Sequence, residues 1–545
     1  MIIQAQEKPW FISSLVIALL ISLPILAVLY LAFYPEENAW PHLINTVLPT
    51  YLKNTVILMA GVGVLTLAIG TGSAWLVATY DFPGKRWLSW ALLLPFSMPA
   101  YVIAYTYTDL LEYAGLIQTG LRAFFSWDNS QDYWFPEIRS MGGAILMMSL
   151  VLYPYIYMLA RAAFLEQSIS LYRIARSLGS TPLQFFYRVS LPIARPALAV
   201  GLALVLMETL NDFGTVDYFA VRTLTAGLYD TWLNMGNLGG AAQIAVLMVC
   251  VVVILISLER YSRRQQKQFN SRNSGAPIPT IKLTGKYAYG ASILAFIPVL
   301  FGFLIPFIIL SYYAINYFEI SWSSKFITYA LNSFSLAGMA SIITLILGLI
   351  LAYSKRMNKN KATGFFVGFA SLGYAVPGAV LAIGIIIPFA AFDNFVDGIM
   401  REYFQFSTGL ILSGTAFAIV FSYSVRFLAV ASGSIESSLD KITPNMDMAS
   451  RSMGHSHLST LIRVHIPMIR RGAITGMLVV FVDSLKELPA TLILRPFNFE
   501  TLATQVYQFA SDELLEQSAL SALVIVLVGI IPVILLDKSI SKKRE

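Results

Sequence analysis

The sequence predicts an all-α polytopic membrane protein with about 12 transmembrane helices, arranged as two tandem, parallel six-helix repeats. The first observation is composition: of the 545 residues 57% are hydrophobic and only 12% are charged, and the mean hydropathy is +0.69. Soluble domains do not have such a composition. The second observation is that apolar runs long enough to cross a bilayer recur along the chain. The third is that a polar segment between these runs occurs twice.

The apolar runs define where the helices are expected, because a span needs about 20 apolar residues. The first run follows Lys8, is longer than a signal-peptide core and lacks an A-x-A cleavage pattern, so we interpret it as a retained span. The predicted spans are 11–33, 54–79, 88–110, 141–163, 196–217, 241–258, 291–313, 331–354, 364–391, 409–430, 472–493 and 518–537.

Lys and Arg are distributed unevenly among the segments that join the spans. With the N-terminus inside, most of them fall on the inner side, including Arg161 and Arg426 at the inner ends of their spans. The positive-inside rule expects this bias, which predicts that both termini and both copies of the polar segment face the cytoplasm. The net charge of +7 therefore reports topology and does not indicate a nucleic-acid partner. The single cysteine, Cys250, excludes an internal disulfide and a cysteine metal cluster.

The repeated polar segment runs over residues 173–195 and again over 448–470, at a shift of 275 positions. Each copy predicts two short helices at an angle, because its glycine can adopt the left-handed conformation that ends a helix. Thr181 or Ser456 can cap the next helix, apolar residues then recur at helical spacing, and a proline stops or bends the helix. Such an amphipathic elbow is shaped to dock into a groove of another protein. The matched positions are Arg176, Gly179, Leu183, Phe186, Val189 and Pro192 in the first elbow and Arg451, Gly454, Leu458, Leu461, Val464 and Pro467 in the second.

The repeat extends beyond the elbows. At a shift of 278 positions, the matched residues are Asn54, Thr66, Gly70, Ala74 and Pro99 with Asn332, Thr344, Gly348, Ala352 and Pro377. We therefore predict two halves, residues 1–258 and 288–545, joined by a basic cytoplasmic linker over 259–287. Because both elbows face the same side, the repeat is parallel, which implies a pseudo-two-fold axis along the membrane normal and a path between the halves. The two matched prolines lie mid-span, where a packing kink and a functional break are both open interpretations.

Five ionisable residues stand inside two of the predicted spans, where charge is costly. Glu208 matches Asp483, Asp212 matches Glu487, and within each half the two acids are one helical turn apart. Two interpretations stay open. The carboxylates could line a cation path, or Lys486 could neutralise Asp483 while the other acids hold helices together. The candidate path residues are Glu208, Asp212, Asp483, Lys486 and Glu487.

The elbow sequences resemble the cytoplasmic coupling loop of ABC importer permeases, whose usual form is Glu-Ala-Ala followed by a glycine and, further on, a Leu-Pro pair. Here the Glu position holds Arg173 in the first elbow and Met448 in the second, while the glycine and its distance to the proline are kept. The segment from Lys486 to Ala503 closely resembles the second half of the ferric-iron permeases of this class. Together with the two-half layout, the resemblance covers nearly the whole chain.

This resemblance implies an inner-membrane permease subunit of a binding-protein-dependent importer in the bacterial cytoplasmic membrane. The implied partners are two copies of a cytoplasmic ATP-binding subunit, which act on the elbows, and a periplasmic or extracellular substrate-binding protein. The implied substrate is ferric iron, with thiamine, polyamine, phosphonate or an oxyanion such as sulfate as alternatives within the class. The alternative from another class is a proton- or sodium-coupled secondary transporter with the intramembrane charges as its ion site.

Motifs for enzymatic chemistry are missing from the sequence. It contains no G-x-x-x-x-G-K-[ST], no G-x-S-x-G and no H-E-x-x-H. We therefore expect neither an enzymatic activity nor a cofactor, and a separate polypeptide has to hydrolyse the ATP.

Metal ligands cannot be assigned from the sequence. Tyrosine oxygens suit Fe(III), and several tyrosines are available, among them Tyr101, Tyr105, Tyr107 and Tyr113, but tyrosine is also common at membrane interfaces, and we favour that interpretation. His455-x-His457 is interpreted as a pair of solvated loop histidines. The long aromatic loop 111–139 is either a lip that meets an external protein or an interfacial belt.

Overall fold

The structure of the chain is a computed structural model that describes residues 2–167, 169–264, 280–358 and 360–541. Most of the predicted linker lies outside the described residues. In chain order the helices are α1 (Ile2–Phe33), α2 (Trp40–Asn45), α3 (Leu48–Thr79), α4 (Lys85–Ala91), α5 (Ala100–Leu111), α6 (Leu116–Phe125), α7 (Met141–Leu165), α8 (Ile169–Ser177), α9 (Pro182–Phe185), α10 (Leu191–Asn211), α11 (Gly214–Tyr218), α12 (Leu224–Tyr229), α13 (Leu238–Arg264), α14 (Lys286–Val299), α15 (Ile305–Asn316), α16 (Phe318–Ser321), α17 (Ser324–Met357), α18 (Lys361–Ala370), α19 (Gly378–Phe404), α20 (Ala416–Leu439), α21 (Pro444–Ser452), α22 (His457–Thr460), α23 (Ile466–Leu485), α24 (Pro489–Leu494), α25 (Leu502–Ser511) and α26 (Leu515–Ser541).

Short irregular turns and one small strand pair connect these helices. The strands β1 (Tyr80–Asp81) and β2 (Ile281–Lys282) pair in parallel. The 3-10 turns are Leu94–Ser97 and Ser371–Ala375, and the π turns are Phe186–Ser190, Asp230–Asn234, Leu300–Leu304 and Leu461–His465.

Eleven helices in the described part of the chain are long and apolar enough to cross a membrane, or up to twelve if a bent pair counts as one span. The bent pair joins Lys85–Ser97 to Ala100–Phe125 at an angle of 93°. The predicted class, an all-α polytopic membrane protein, is therefore confirmed.

The two matched prolines stand between helices instead of inside them. Pro99 precedes α5 with extended backbone angles, φ −64° and ψ 143°, and Pro377 precedes α19 with φ −56° and ψ 142°. A proline has no amide hydrogen, so it suits the residue at which a chain enters a helix. The spans predicted at 88–110 and 364–391 are each two helices that meet at the proline, and neither is one kinked helix.

Arg426 lies near the middle of α20, so its predicted place at the inner end of a span is wrong. The helix begins at Ala416, later than predicted, because the Thr415 hydroxyl caps it by accepting the amide of Phe417 over 3.3 Å. Arg161 remains near the end of α7.

The chain forms two compact units, and each contains parts of both sequence halves. The first unit comprises Met1–Trp40, Leu228–Leu247 and Ser324–Gln505. In it α17, α20 and α23 pack together, and α1 packs on α17, α18 and α19. The second unit comprises Pro41–Gly227, Met248–Ser323 and Val506–Glu545. In it α3, α7 and α10, which correspond to α17, α20 and α23 in the sequence repeat, pack together, and α15 packs on α26. The predicted boundaries at 258 and 288 describe the sequence repeat and stay a prediction.

Close backbone packing holds α1 against α19 in the first unit. A Cβ atom at Gly384 of α19 would collide with the carbonyl oxygen of Pro24. The glycine therefore allows α1 to approach more closely than any other residue would. Gly398, further along α19, has no neighbouring atom of the described residues within 4 Å of such a Cβ.

Gly384→Ala tests this contact, with Gly398→Ala as its control on the same helix. The added methyl at Gly384 has to push α1 away, so we expect the free energy of unfolding to fall by about 1–3 kcal/mol. The same change at Gly398 meets open space and should keep or raise stability, because alanine favours a helix. Midpoints of thermal unfolding in detergent measure both, and equal midpoints for the two variants would contradict the packing.

Candidate functional site

The first elbow turns at a glycine in the left-handed conformation, as predicted. Gly179 has φ +80°, and its amide donates to the carbonyl of Arg176 over 3.0 Å. The amide of Ser180 donates to the carbonyl of Ala175 over 3.0 Å, so the turn satisfies the last carbonyls of α8. The Arg176 guanidinium donates to the Ser180 carbonyl over 2.9 Å and closes the turn from outside.

The second elbow repeats this turn at the end of α21. Gly454 has φ +83°, and the amide of His455 donates to the carbonyl of Ser450 over 3.2 Å. Any residue with a Cβ is strained at such an angle, which explains the glycine in both elbows. The side chain of Arg451 lies outside the described residues.

A hydroxyl caps the short helix that follows each turn. Thr181 Oγ1 accepts the amide of Gln184 over 3.2 Å, and the Gln184 side chain accepts the amide of Thr181 over 2.9 Å. Ser456 Oγ accepts the amide of Ser459 over 3.2 Å. These caps fix where α9 and α22 begin, at the positions that the sequence predicts.

A π turn follows α9 and another follows α22, and each carries the elbow into a long helix. Pro192 and Pro467 come directly after these turns, near the starts of α10 and α23. The wider turn accommodates the missing amide hydrogen, and the helical run continues. Of the two predicted effects of these prolines, a stop or a bend, the stop is therefore wrong and the bend stays a prediction. The helical runs that could span the membrane are Pro182–Asn211 and His457–Leu485.

Among the exposed apolar side chains of each elbow, three around the turn and the short helix lie at positions matched by the shift of 275. The exposed fractions are 81% for Leu178, 64% for Leu183 and 61% for Tyr187, and 69% for Met453, 56% for Leu458 and 55% for Ile462. We call these two sets of three the elbow faces. Contiguous exposed apolar surface marks a protein interaction site. The predicted stripe includes Leu183 and Leu458 but not the other four, although apolar residues matched across a polar segment are a usable signal.

The predicted stripe over Leu183, Phe186 and Val189 is not one exposed face. Phe186 packs on Trp75 with ring centroids 4.9 Å apart, and its equivalent Leu461 is buried, with 5% exposed. The π turn is the reason, because its wider repeat rotates residues three apart away from a common face.

A neutral hydrogen-bonded pair supports the first elbow. The buried Ser190 hydroxyl donates to the Gln167 side chain over 2.6 Å, and the Gln167 amide donates to the Ser190 carbonyl over 3.0 Å. Next to this pair, Phe185 is buried against Tyr172 of α8, with ring centroids 5.2 Å apart.

A charged network supports the second elbow. Asp447 of α21 accepts from His465 Nε2 over 2.7 Å and from Arg356 over 2.8 Å. Arg356 also donates to the carbonyls of Leu439 and Ile442, over 2.6 Å and 3.0 Å. Sequence reasoning missed this network, because no local pattern links residues so far apart in the chain.

The two elbow histidines are structural. His457 is buried, and its carbonyl accepts the Tyr353 hydroxyl over 2.8 Å, so the prediction of a solvated histidine is wrong there. His455 Nδ1 bonds with the Ser459 hydroxyl over 3.2 Å. In the described ranges, no three His, Cys, Asp or Glu side chains are grouped so that they could hold a metal ion.

Three of the five candidate path residues lie in ion pairs. Lys486 Nζ is 2.8 Å from Asp483 Oδ1. Arg426 Nη1 is 3.0 Å from Glu487 Oε1, and both side chains are buried. This geometry is the internal pairing that the sequence left open as the alternative to a cation path. Glu208 is half-buried on α10.

The matched acids Glu487 and Asp212 cap the short helices that follow a break. The Glu487 carboxylate accepts the amides of Ala490 and Thr491, over 3.0 Å and 3.2 Å, at the start of α24. Asp212 accepts the amide of Thr215 over 2.9 Å at the start of α11. A helix start in an apolar surrounding exposes amides that need acceptors, so both acids have a structural role. Their role in a path stays a prediction.

The chain resembles known transport proteins over its whole length. The model of a family described as "binding-protein-dependent transport system inner membrane component" matches it twice, over residues 66–267 and 344–545. An Fe(3+)-transport system permease protein of Haemophilus influenzae is 25% identical, over 98% of this chain and 99% of its own length. A ferric transport system permease protein of Actinobacillus pleuropneumoniae is 22% identical, over 88% of this chain and 70% of its own. A molybdenum transport system permease protein of Escherichia coli is 25% identical, over 37% of this chain and 88% of its own.

Arg426→Met tests the buried ion pair. The change leaves the Glu487 carboxylate buried without this cation, so we expect the free energy of unfolding to fall by about 3–5 kcal/mol. Arg401→Met is the control, because Arg401 pairs with Asp397 while 65% of its side chain is exposed, and its loss should cost less than about 1 kcal/mol. Thermal unfolding in detergent compares the two, and similar losses would refute the importance of the buried pair.

Proposed function

The chain belongs to the family of inner membrane components of binding-protein-dependent transport systems, and from this premise we propose that it is the permease subunit of an ABC importer for ferric iron. It is a multi-pass inner-membrane protein of a transport family whose members act with a substrate-binding protein and with ATP-hydrolysing subunits. The observation that carries the proposal is the doubled family match together with two elbows of the same turn, cap and exposed face.

Ferric iron is the substrate that similarity supports. The two relatives named for Fe(3+) or ferric transport align with 98% and 88% of this chain, whereas the molybdenum relative aligns with 37%. The full-length relatives therefore favour iron over an oxyanion. Thiamine and polyamines are the other solutes that an uptake experiment has to include.

We propose that one ATP-binding subunit docks on each elbow face, which makes two copies per permease chain. Each face has three exposed apolar side chains on a backbone turn that a glycine fixes. The excess of basic residues on the same side supports a cytoplasmic position for both elbows and both termini. The residues proposed for coupling are Arg176, Gly179, Leu183, Phe186 and Pro192, with Arg451, Gly454, Leu458, Leu461 and Pro467.

Each elbow continues as a helical run into the segment that carries the intramembrane acids. The first run extends from Pro182 to Asn211, directly before Asp212, and the second extends from His457 to Leu485 and contains Asp483. Because a hydrogen-bonded helix moves as a rigid element, a displaced elbow displaces the acid-bearing end. In the proposed cycle, ATP draws the ATPase subunits together, the elbows follow, and the permease changes from inward-open to outward-open to receive iron from the binding protein.

Uptake of radiolabelled iron tests the substrate. The permease is reconstituted in vesicles with its ATP-binding subunits and substrate-binding protein, and labelled thiamine and putrescine are measured in parallel. We expect uptake of iron alone, and only with ATP. Uptake of another solute instead of iron would refute the substrate, and iron uptake driven by a proton or sodium gradient without ATP would refute the class.

The double variant Leu183→Asp with Leu458→Asp tests the elbow faces. Both side chains are exposed, so the change should leave the unfolding midpoint unaltered. A charge in each docking surface should reduce both co-purification of the ATP-binding subunits and iron uptake by roughly tenfold or more.

Leu116→Asp is the matched control for the elbow variant. Leu116 is also exposed, at 76%, but lies in the loop that the charge pattern places outside. We expect this variant to keep its ATP-binding subunits. Retention of those subunits by the elbow double variant would overturn the proposed docking site.

A further inference from the structure

A tyrosine–aspartate cluster surrounds the end of α10 in the second compact unit. Its members all carry side-chain oxygen atoms: Tyr101, Tyr105, Asp212, Asp217, Tyr218 and Tyr507. The first two tyrosines lie one turn apart on α5, the Asp217–Tyr218 pair ends α11, and Tyr507 lies on α25. Four separate parts of the chain therefore bring these oxygens to one place.

Ring contacts and a hydrogen bond hold the cluster together. The rings of Tyr105 and Tyr218 meet edge to face with centroids 4.4 Å apart, and those of Tyr101 and Tyr105 are 5.9 Å apart. The Tyr507 hydroxyl donates to Asp217 Oδ2 over 2.6 Å. Burial and this carboxylate raise the pKa of the Tyr507 phenol, which keeps it protonated as the donor.

The hydroxyl of Tyr105 is buried without a hydrogen bond. The side chain is 1% exposed, and its oxygen has no hydrogen-bond partner among the described residues. Such a group costs about 1–3 kcal/mol, and native structures seldom keep one without a function. The Tyr105 ring contacts those of Tyr101 and Tyr218, so the side chain lies within the cluster. By contrast, the side chain of Asp217 in α11 is exposed to solvent.

The matched positions of the second half are chemically different. The residues that correspond to Tyr101, Tyr105 and Asp217 are Ala379, Ile383 and Leu492. Glu487, which corresponds to Asp212, pairs with Arg426. The first-half position that corresponds to Arg426 is Val151. The first half therefore has oxygen-bearing side chains at positions where the second half has apolar ones. In the second half, Arg426 neutralises the acid Glu487.

Carboxylate and phenol oxygens in one place select a hard cation. A neutral phenol is a poor ligand, and a highly charged cation is needed to displace its proton. The two carboxylates and one phenolate together carry three negative charges, which balance a trivalent ion. The two carboxylates alone would balance a divalent ion, and the phenol would stay protonated, so a bond to the phenolate oxygen is specific to the trivalent ion.

We propose that the tyrosine–aspartate cluster is a transient binding site for ferric iron in transit, with the oxygens of Tyr105, Asp212 and Asp217 as ligands. The inference rests on the proposed function. The Tyr105 phenol releases its proton to water when iron binds. Asp217 is exposed to solvent, which gives iron a way to enter and leave the site.

Tyr105→Phe tests the site in the purified full-length permease. The chain is titrated with the ferric nitrilotriacetate complex, and the measurements are the visible phenolate-to-iron charge-transfer absorption and the binding of radiolabelled iron. The wild type should bind iron with this absorption. Tyr105→Phe should weaken binding by about tenfold or more and remove the absorption, because it deletes a ligand oxygen. Its unfolding midpoint should not fall, since the lost hydroxyl has no hydrogen bond.

Tyr153→Phe is the matched control in the same unit. Tyr153 is 0% exposed, its oxygen has no hydrogen-bond partner in the described part of the chain, and the group that acts on it is Tyr157 and not a carboxylate. This variant should keep wild-type binding and absorption. Loss of both in Tyr153→Phe would show a general effect of the substitution and overturn the assignment.

The outcomes separate this inference from the proposed function. A wild type that imports iron with its partners but shows no charge-transfer absorption, or an absorption that Tyr105→Phe leaves unchanged, overturns the cluster and leaves the iron importer standing. A complex that imports another solute and not iron overturns the proposed function, and the transit role of the cluster with it.

Discussion

The breaks in the membrane helices are the constraint on which the rest of this structure depends. An amide that loses its helical partner in an apolar surrounding has to find another acceptor. After α10 and α23 that acceptor is a carboxylate, Asp212 in one half and Glu487 in the other. A buried carboxylate in turn needs a cation or further donors, and Arg426 is the cation beside Glu487. Gly378 leaves room for this pair, because a Cβ there would lie 2.5 Å from the Glu487 carboxylate and 3.0 Å from the Arg426 guanidinium. One break in the backbone therefore determines the place of an acid, an arginine and a glycine.

The elbows show that the repeat keeps backbone geometry more strictly than side-chain chemistry. Both turns use a left-handed glycine, a hydroxyl cap and a π turn, and both leave apolar side chains exposed at the same positions. The supporting side chains differ: the first elbow has a Gln167–Ser190 pair, and the second has an Asp447–His465 hydrogen bond beside the Asp447–Arg356 ion pair. Each pair joins the short helix before its turn, or the segment before that helix, to the start of the long helix by a side-chain hydrogen bond, so different side chains support the same backbone geometry. Only the exposed side chains of an elbow can contact a docking partner, so in our proposal only the two elbow faces have to be alike.

The sequence was sufficient for the features that depend on local chemistry. Composition determines the membrane class, and the φ requirement at Gly179 and Gly454 is visible as a glycine followed by a capping hydroxyl. The features that depend on contacts between distant parts of the chain could not be predicted. A late start of α20 moves Arg426 from the end of a helix to its middle, where it meets Glu487, and no local signal marks that start precisely enough. The π turns also have no sequence signature, and they decide which residues of the elbow, Phe186 among them, are covered.

Because the two halves are fused in one chain, matched positions can hold different residues with different roles. Two identical subunits would have to place the same residues on both sides of their axis. Here the second half neutralises its intramembrane acid with Arg426, while the first half has Val151 at that position and phenol oxygens close to Asp212. Glu487, paired with Arg426, serves the fold, whereas in our proposal Asp212 also serves as a ligand for a cation. The three proposed ligands fill only part of a coordination shell of about six oxygens, which favours weak binding. For a permease this is an advantage, because an ion that is bound too firmly is not released on the other side.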